Sequence, residues 1–179
     1  MRVSMSSCHK PRLRLRRDSS VEDWEVIKGL FTSNSEEWET PQDFFNELDK
    51  EFHFDIDLCA SLGNAKCARF ITKEDDLLSY SSGTPWLWLK TSKGESYRTA
   101  WMNPPYGRKI GDFIRKAYEC AFVGGMVVVC LVPARTDTKW WHTYCIKGEI
   151  RFIKGRLKFG GSKWNAPFPS AIVIFDKWR

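Results

Sequence analysis

One stretch, residues 99–132, constrains the fold of this 179-residue chain more than any other. It begins with the short β-prone run at residues 99–102, and residues 110–122 then place apolar side chains at helical spacing up to a Gly-Gly pair. Residues 126–132 are continuously apolar and rich in β-branched side chains, as in a strand covered on both faces. A strand, a helix and a buried strand in succession predict a right-handed βαβ unit within a largely parallel sheet.

The segments around this unit extend the α/β pattern. Thr40 is a candidate N-cap and Pro41 a candidate first residue of a helix whose apolar face runs to Phe52. Alternation predicts a strand over residues 52–58, and a short second strand is expected at 69–72. Further along, we expect a helix at residues 137–147 and closing strands at residues 149–153, 157–159 and 171–175. Residues 79–96 give no clear pattern.

Length and composition indicate one globular domain. Hydrophobic residues make up 42% of the chain and aromatic residues 15%, which excludes a fully disordered protein. We expect a basic, disordered tail at residues 1–33 and a single domain at residues 34–179. No apolar run is long enough to cross a bilayer, and no apolar block follows the first basic residues as a secretory signal requires.

Charge is distributed unevenly along the chain. Residues 1–17 contain six basic and no acidic residues, residues 18–85 five basic and sixteen acidic, and residues 86–179 seventeen basic and six acidic. This favours a polyanion, such as nucleic acid, as partner for the basic parts and a cationic ligand for the acidic part. The alternative is that the charged blocks interleave on folding and leave no such surface.

The six cysteines include no C-x-x-C pair, which favours a reduced cytoplasm over a disulfide framework. His53, Cys59 and Cys67 match no common zinc spacing. We therefore expect buried thiols and no metal.

The loop Asn103-Pro104-Pro105-Tyr106 carries the clearest chemistry. Its prolines have no N–H, so the loop offers carbonyl acceptors without competing donors. The side-chain oxygen of Asn103 and the carbonyl of Pro104 would accept the two N–H groups of a planar amine, and the Tyr106 ring would stack on the attached base. These acceptors would stabilise the positive charge that develops on the nitrogen as it attacks a methyl sulfonium. The alternative is a plain Pro-Pro turn after a strand.

The chain resembles the phage-type DNA N6-adenine methyltransferases related to the Dam group. The resemblance covers nearly everything after the tail, through Trp38-Glu39-Thr40-Pro41, Asp57-Leu58-Cys59-Ala60-Ser61, Asn64-Ala65-Lys66-Cys67, the Asn-Pro-Pro-Tyr loop, residues 131–138, Gly155-Arg156-Leu157-Lys158-Phe159 and Ala166-Pro167-Phe168-Pro169-Ser170. It implies a Rossmann-like class I methyltransferase fold, with a mostly parallel sheet, an antiparallel last strand and helices on both faces. It also implies S-adenosylmethionine as methyl donor, S-adenosylhomocysteine as product and adenine in DNA as target.

The same resemblance assigns the donor site. The residues expected there are Thr40, Pro41, Asp57, Cys59, Ala60, Asp75 and Asp76. Thr40 and Pro41 would lie near the methionine moiety, Asp57 at the carboxyl end of the first strand, and Asp75 or Asp76 near the ribose or adenine. The chain departs from the wider pattern because residues 59–63 replace a Gly-x-Gly turn. Asp57 as a cap, and Asp75 and Asp76 as a solvated turn, are the structural alternatives.

DNA contacts are expected from a basic and aromatic group of residues. The candidates are Arg135, Arg151, Lys154, Arg156, Lys158 and Phe159. Phe159 would form a second aromatic wall opposite Tyr106, around an adenine flipped out of the duplex. The alternative for Phe159 is a core position. We expect a monomer.

Two other functions remain open from the sequence. The same loop chemistry would suit an RNA base or a protein glutamine amide. A nucleic-acid-binding module that has lost donor binding is the third possibility, and the missing Gly-x-Gly turn is the feature that favours it.

Overall fold

A computed structural model of the chain describes residues 38–79, 98–160 and 162–178. The predicted tail at residues 1–33 and nearly all of the segment 79–96 lie outside the described residues. The helices are α1 (Gln42–Phe52), α2 (Ile110–Phe122) and α3 (Lys139–Thr143), and the strands are β1 (Ile56–Asp57), β2 (Thr99–Met102), β3 (Val127–Pro133), β4 (Glu149–Phe152) and β5 (Ser170–Phe175). No helix within these ranges is both long and apolar enough to cross a membrane.

The five strands form one mixed sheet in the order β1-β2-β3-β5-β4. β1, β2 and β3 pair in parallel, whereas β5 runs antiparallel to both β3 and β4. The predicted succession of strand, helix and parallel strand is confirmed, since α2 connects the paired strands β2 and β3. The last strand in chain order is the reversed one, as expected.

Helices cover both faces of the sheet. Trp101 and Phe175 lie in register beside consecutive residues of β3, and consecutive residues of a strand point to opposite faces. Phe45 of α1 meets the Trp101 ring at 5.6 Å, whereas Tyr118 of α2 meets the Phe175 ring at 5.9 Å. The central strands are therefore enclosed, which explains the continuous apolar sequence of β3.

The start of α1 differs from the prediction by one residue. Pro41 is extended at ψ 136° and its carbonyl accepts from Phe45 N, so Pro41, not Thr40, occupies the N-cap position. The N-cap assignment of Thr40 was wrong because its hydroxyl is bonded elsewhere, to the side chain of Asn103.

The strand predicted at residues 52–58 is mostly helix end and turn. Phe52 closes α1, His53 ends it in a left-handed conformation at φ 52°, and only Ile56–Asp57 pair as a strand. The alternation has another cause: the Phe52 and Phe54 rings stack at 5.7 Å.

Three other predicted elements differ from the expectation. Residues 69–72 make only an isolated parallel bridge, between Phe70 and Asp57, and residues 157–159 form no strand. The helix expected at 137–147 divides into α3 and a 3-10 turn at Cys145–Lys147.

Candidate active site

A cavity of about 770 Å³ lies at the carboxyl ends of β1 and β2. Its lining comes from residues within the segments 38–40, 57–66, 71–78 and 101–109, together with Phe113 of α2. The volume falls within the range of small-molecule and cofactor sites. Parallel strands bring their carboxyl ends to one edge of the sheet, so β1 and β2 present Asp57 and Asn103 to the same space.

The side chain of Asn103 has a fixed orientation in this cavity. Its Nδ2 donates to the carbonyl of Trp38 and to Oγ1 of Thr40, the latter at 3.0 Å. A backbone carbonyl only accepts hydrogen bonds, so the amide nitrogen must face Trp38 and the amide oxygen must point away.

That oxygen, Oδ1 of Asn103, is buried and has no hydrogen-bond partner within the described parts of the chain. A buried, unpaired acceptor costs about 1–3 kcal/mol, and such atoms are rare in folded proteins. Because Asn103 lines the cavity, its free oxygen is suited to receive an N–H group from a ligand bound there.

Asp57 is the buried carboxylate of the site, with 2% of its surface exposed. Its Oδ1 accepts from the backbone N–H of Cys59 at 3.1 Å, and its Oδ2 accepts from that of Lys66 at 3.2 Å. Desolvation by burial raises the pKa of Asp57 to about 6, although both backbone hydrogen bonds and the nearby Lys66 oppose the shift. The predicted turn-capping alternative is confirmed, but the same carboxylate also lines the cavity.

A cation and an anion lie together on the wall beside Asp57. The Lys66 side chain is only 7% exposed, and its Nζ lies 3.5 Å from Oε1 of Glu39 and 3.2 Å from Oε1 of Gln42. The Lys66–Glu39 distance is long for a charge-assisted hydrogen bond, so both groups retain bonding capacity toward a ligand. An ammonium beside a carboxylate complements a zwitterionic α-amino acid group.

Comparisons with known proteins show the family of this chain. The DNA N-6-adenine-methyltransferase (Dam) family matches residues 29–178. The chain is 31% identical over 154 residues to the DNA N-6-adenine-methyltransferase of Haemophilus phage HP1 (strain HP1c1), covering 80% of each protein. It is 30% identical over 105 residues to the DNA N-6-adenine-methyltransferase of Escherichia phage T1, covering 58% of this chain and 38% of that protein. The chain belongs to the Dam family.

Most of the predicted donor residues in this Dam family member lie around the cavity. Thr40, Asp57, Cys59, Ala60 and Asp76 line it.

Pro41 and Asp75 do not line the cavity. The Asp75 carboxylate is fully exposed and accepts from the backbone N–H and the hydroxyl of Thr72, both at 2.9 Å, which lowers its pKa. For Asp75 the turn interpretation therefore fits the structure, and Asp76 is the candidate for donor contact.

The predicted catalytic loop divides into a cavity-facing part and a buried part. Pro104 and Pro105 line the cavity with Asn103. The Tyr106 ring lies behind them: it is buried and meets the Phe168 ring edge-on at 5.5 Å, and its hydroxyl donates to the carbonyl of Leu131 at 3.2 Å.

The structure corrects the assignment of Phe159 to the predicted DNA-binding group. It is 1% exposed and packs edge-on against Trp38 at 5.2 Å and Tyr106 at 6.1 Å. Perpendicular rings in contact leave no slot for a base between them, so the second-wall assignment was wrong and the core alternative is right.

The assignment of Arg151 to the same group is also corrected. Its guanidinium donates to both carboxylate oxygens of Glu51, at 2.6 and 2.8 Å, and to Glu149 at 2.6 Å, which raises its pKa. A cation bound by two carboxylates is not available to a phosphate, so its role is to join α1 to β4. Arg135, Lys154, Arg156 and Lys158 are exposed and lie outside the cavity lining.

Sequence reasoning missed several residues of the site. Glu39, Asn64 and Lys66 line the cavity, as do Arg108 and Lys109 immediately after the catalytic loop. Both Glu39 and Lys66 belong to the motifs that carried the family resemblance. Their presence in these motifs was the sequence signal that could have assigned them to the site. Their pairing across 27 positions of the chain had no local signature.

Proposed function

We propose that this chain transfers the methyl group of S-adenosylmethionine to the N6 amino group of adenine in DNA. The observation that carries the proposal is the buried, unpaired Oδ1 of Asn103, a residue that lines the cavity, because this atom provides the acceptor that an exocyclic amine requires. The cavity contains chemistry for the donor as well, in Asp57 and the Lys66–Glu39 pair. The strand order, with a reversed β5, supports assignment to the Rossmann-like class I methyltransferases.

The donor and target would occupy different parts of the lining. Lys66 and Glu39 would bind the carboxylate and ammonium of the donor's amino acid group, and Thr40, which follows Glu39 in the chain, lines the same cavity. The Asp57 carboxylate would face the donor's positive charge, and Asp76 would contact its ribose or adenine. When bound, S-adenosylmethionine supplies an electrophilic methyl group on a sulfonium.

Asn103 would stabilise the target amine during transfer. Its Oδ1 accepts one N–H group and the carbonyl of Pro104 accepts the other, which directs the nitrogen lone pair out of the base plane toward the methyl group. Positive charge grows on the nitrogen as the N–CH₃ bond forms and the S–CH₃ bond breaks. The extra proton then leaves to water, and neither step needs a metal or a strong base.

The fixed amide is central to this mechanism. The contacts of Nδ2 with Trp38 and Thr40 hold the Asn103 oxygen in place before the base arrives, so little reorganisation is required during the reaction. An amino group inside a duplex is not accessible to such a cavity, so the adenine would be flipped out of the stack.

Substrate analysis with labelled donor tests the proposal. The protein is incubated with methyl-labelled S-adenosylmethionine and, separately, with duplex DNA, RNA and a glutamine-containing protein mixture, and the products are then digested and separated. The expected result is label in N6-methyladenine from DNA. Label in an RNA nucleoside or in glutamine instead would show that DNA is not the substrate. Donor binding without methyl transfer to any of the three substrates would contradict the proposed activity.

A further inference from the structure

An exposed tryptophan lies in the most basic part of the chain. Trp164 is 73% exposed, and the ammonium of Lys163 lies 5.4 Å from the centre of its ring. From residue 150 to residue 175 the sequence contains five basic and no acidic residues. Apart from the paired Arg151, these cations are exposed and lie within 11 residues of Trp164: Lys154, Arg156, Lys158 and Lys163.

Local hydrogen bonds hold Trp164 away from the core. In the Trp164 turn, defined as residues 162–168, the hydroxyl of Ser162 donates to the Trp164 carbonyl at 2.7 Å and accepts from the Trp164 N–H at 3.2 Å. Ala166 N donates to the carbonyl of Leu157 at 2.8 Å, which closes the turn onto the preceding segment. The backbone is thus ordered around a large apolar side chain that contributes nothing to the core.

The turn is anchored beside the catalytic loop. Phe168, at its end, meets the Tyr106 ring at 5.5 Å and the Trp38 ring at 5.1 Å. Trp38 in turn provides the carbonyl that orients Asn103. Four residues of extended chain span at most about 14 Å, which is about four base steps along DNA.

From this placement, and resting on the proposed function, we infer that Trp164 contacts DNA next to the target adenine, stacking on a base exposed when the site opens. Lys163 and the neighbouring cations neutralise phosphates on either side. Aromatic rings interleaved with lysines and arginines have the chemistry that binds an unstacked strand, because any base offers a π-face. Trp164 thereby provides an aromatic contact with DNA, as the sequence had suggested for the buried Phe159, but with a base beside the target and not with the flipped adenine itself.

Trp178 provides a matched control. It is 79% exposed, and Lys177 lies 5.5 Å from its ring centre, so the two tryptophans share exposure and a neighbouring cation. Trp178 follows β5 in a separate segment and has no ring contact with Trp38, Tyr106 or Phe168 among the described residues. A general effect of removing a surface tryptophan would appear equally in both variants.

The test measures the affinity of full-length protein for a fluorescein-labelled, adenine-containing DNA duplex, by anisotropy with S-adenosylhomocysteine present. Trp164→Ala should raise Kd about tenfold, Trp164→Phe should recover most of the affinity, and Trp178→Ala should match wild type. Trp164→Ala should leave the salt dependence of Kd unchanged. Lys163→Ala should lower the slope of log Kd against log salt concentration by the equivalent of about one phosphate contact.

Equal affinities of Trp164→Ala and Trp178→Ala would overturn the inference. So would unchanged DNA binding together with altered sedimentation of Trp164→Ala, which would make the turn an interface between copies of the chain. The proposed function is judged separately, by methyl transfer in the wild type. A selective effect of Trp164 on DNA affinity without any methyl transfer would overturn the activity and support the contact.

Discussion

Oγ1 of Thr40 accepts a hydrogen bond from Nδ2 of Asn103 at 3.0 Å, across 63 positions of the chain. This contact and the Trp38 carbonyl fix the orientation of the Asn103 amide and leave its oxygen without a partner among the described residues. Thr40 is therefore a positioning residue for the acceptor, in addition to its predicted place near the donor.

Replacing Thr40 tests this positioning. Thr40→Val keeps the shape but removes the acceptor, so the amide loses one of its two anchors and kcat should fall about tenfold. Thr40→Ser keeps the hydroxyl and should retain most of the activity. The measurement is steady-state methylation of DNA with both variants checked for unchanged thermal unfolding; equal kcat for the Val and Ser variants would show that the bond has no role.

Donor binding should depend on the charge of Asp57. Its pKa is raised to about 6, so the carboxylate is protonated below that pH and ionised above it. A positively charged donor favours the ionised form, so affinity should strengthen as pH rises from 5 to 7, by about tenfold. Isothermal calorimetry with S-adenosylmethionine measures this, and Asp57→Asn should bind more weakly at pH 7 with a flat profile. A wild-type profile as flat as that of the variant would remove Asp57 from the donor site.

Lys66 should recognise the amino acid end of the donor. Lys66→Met removes the buried ammonium and should weaken S-adenosylhomocysteine binding about tenfold or more. Affinity for 5′-methylthioadenosine, which lacks the amino acid group, should not change. Lys50→Met is the control, because Lys50 lies exposed on α1 and pairs only with Glu47 among the described residues. Equal losses for both ligands would indicate a general disturbance of the cavity.

Variants of Tyr106 distinguish support of the catalytic loop from stacking on the base; the stacking stays a prediction, because the ring is buried and lies outside the cavity lining. Tyr106→Phe removes only the hydrogen bond to the Leu131 carbonyl, which is worth about 1 kcal/mol of stability, and should keep DNA affinity and turnover. Tyr106→Ala removes the ring and should raise KM for DNA more than Kd for the donor. If both variants bind DNA like wild type and differ only in thermal unfolding, the ring serves packing alone.

The sequence predicted the centre of the sheet better than its margins. β3 could be predicted because a strand buried on both faces has a continuous apolar sequence, and α2 because its 13-residue amphipathic pattern is a strong local signal. β1 was not, because Phe52 and Phe54 alternate for a packing reason and pair with no strand. The start of α1 was displaced because a distant partner, Asn103, uses the hydroxyl that would otherwise cap the helix.

The site shows the same division between local and long-range information. The Asn-Pro-Pro loop was found from its position after a strand, and Asp57 was found from the family resemblance, which places it at the carboxyl end of the first strand. The Lys66–Glu39 pair, the burial of Phe159 and the pairing of Arg151 with Glu51 arise only when segments meet in three dimensions. Which aromatic side chain of a segment is exposed also depends on the three-dimensional structure. Trp164 is exposed and Phe159 is buried, so Trp164 is the better candidate for a DNA contact.

The role of the Asn103 oxygen is tested most directly by the rate of methyl transfer in a single turnover, with donor and DNA both saturating. Asn103→Ala should slow transfer about 100-fold or more while leaving S-adenosylhomocysteine affinity unchanged. The control is Asn64→Ala: Asn64 lines the same cavity, but its oxygen already accepts from Ser61 N at 2.7 Å, so transfer should continue near the wild-type rate. Transfer by Asn103→Ala as fast as by Asn64→Ala would contradict the account.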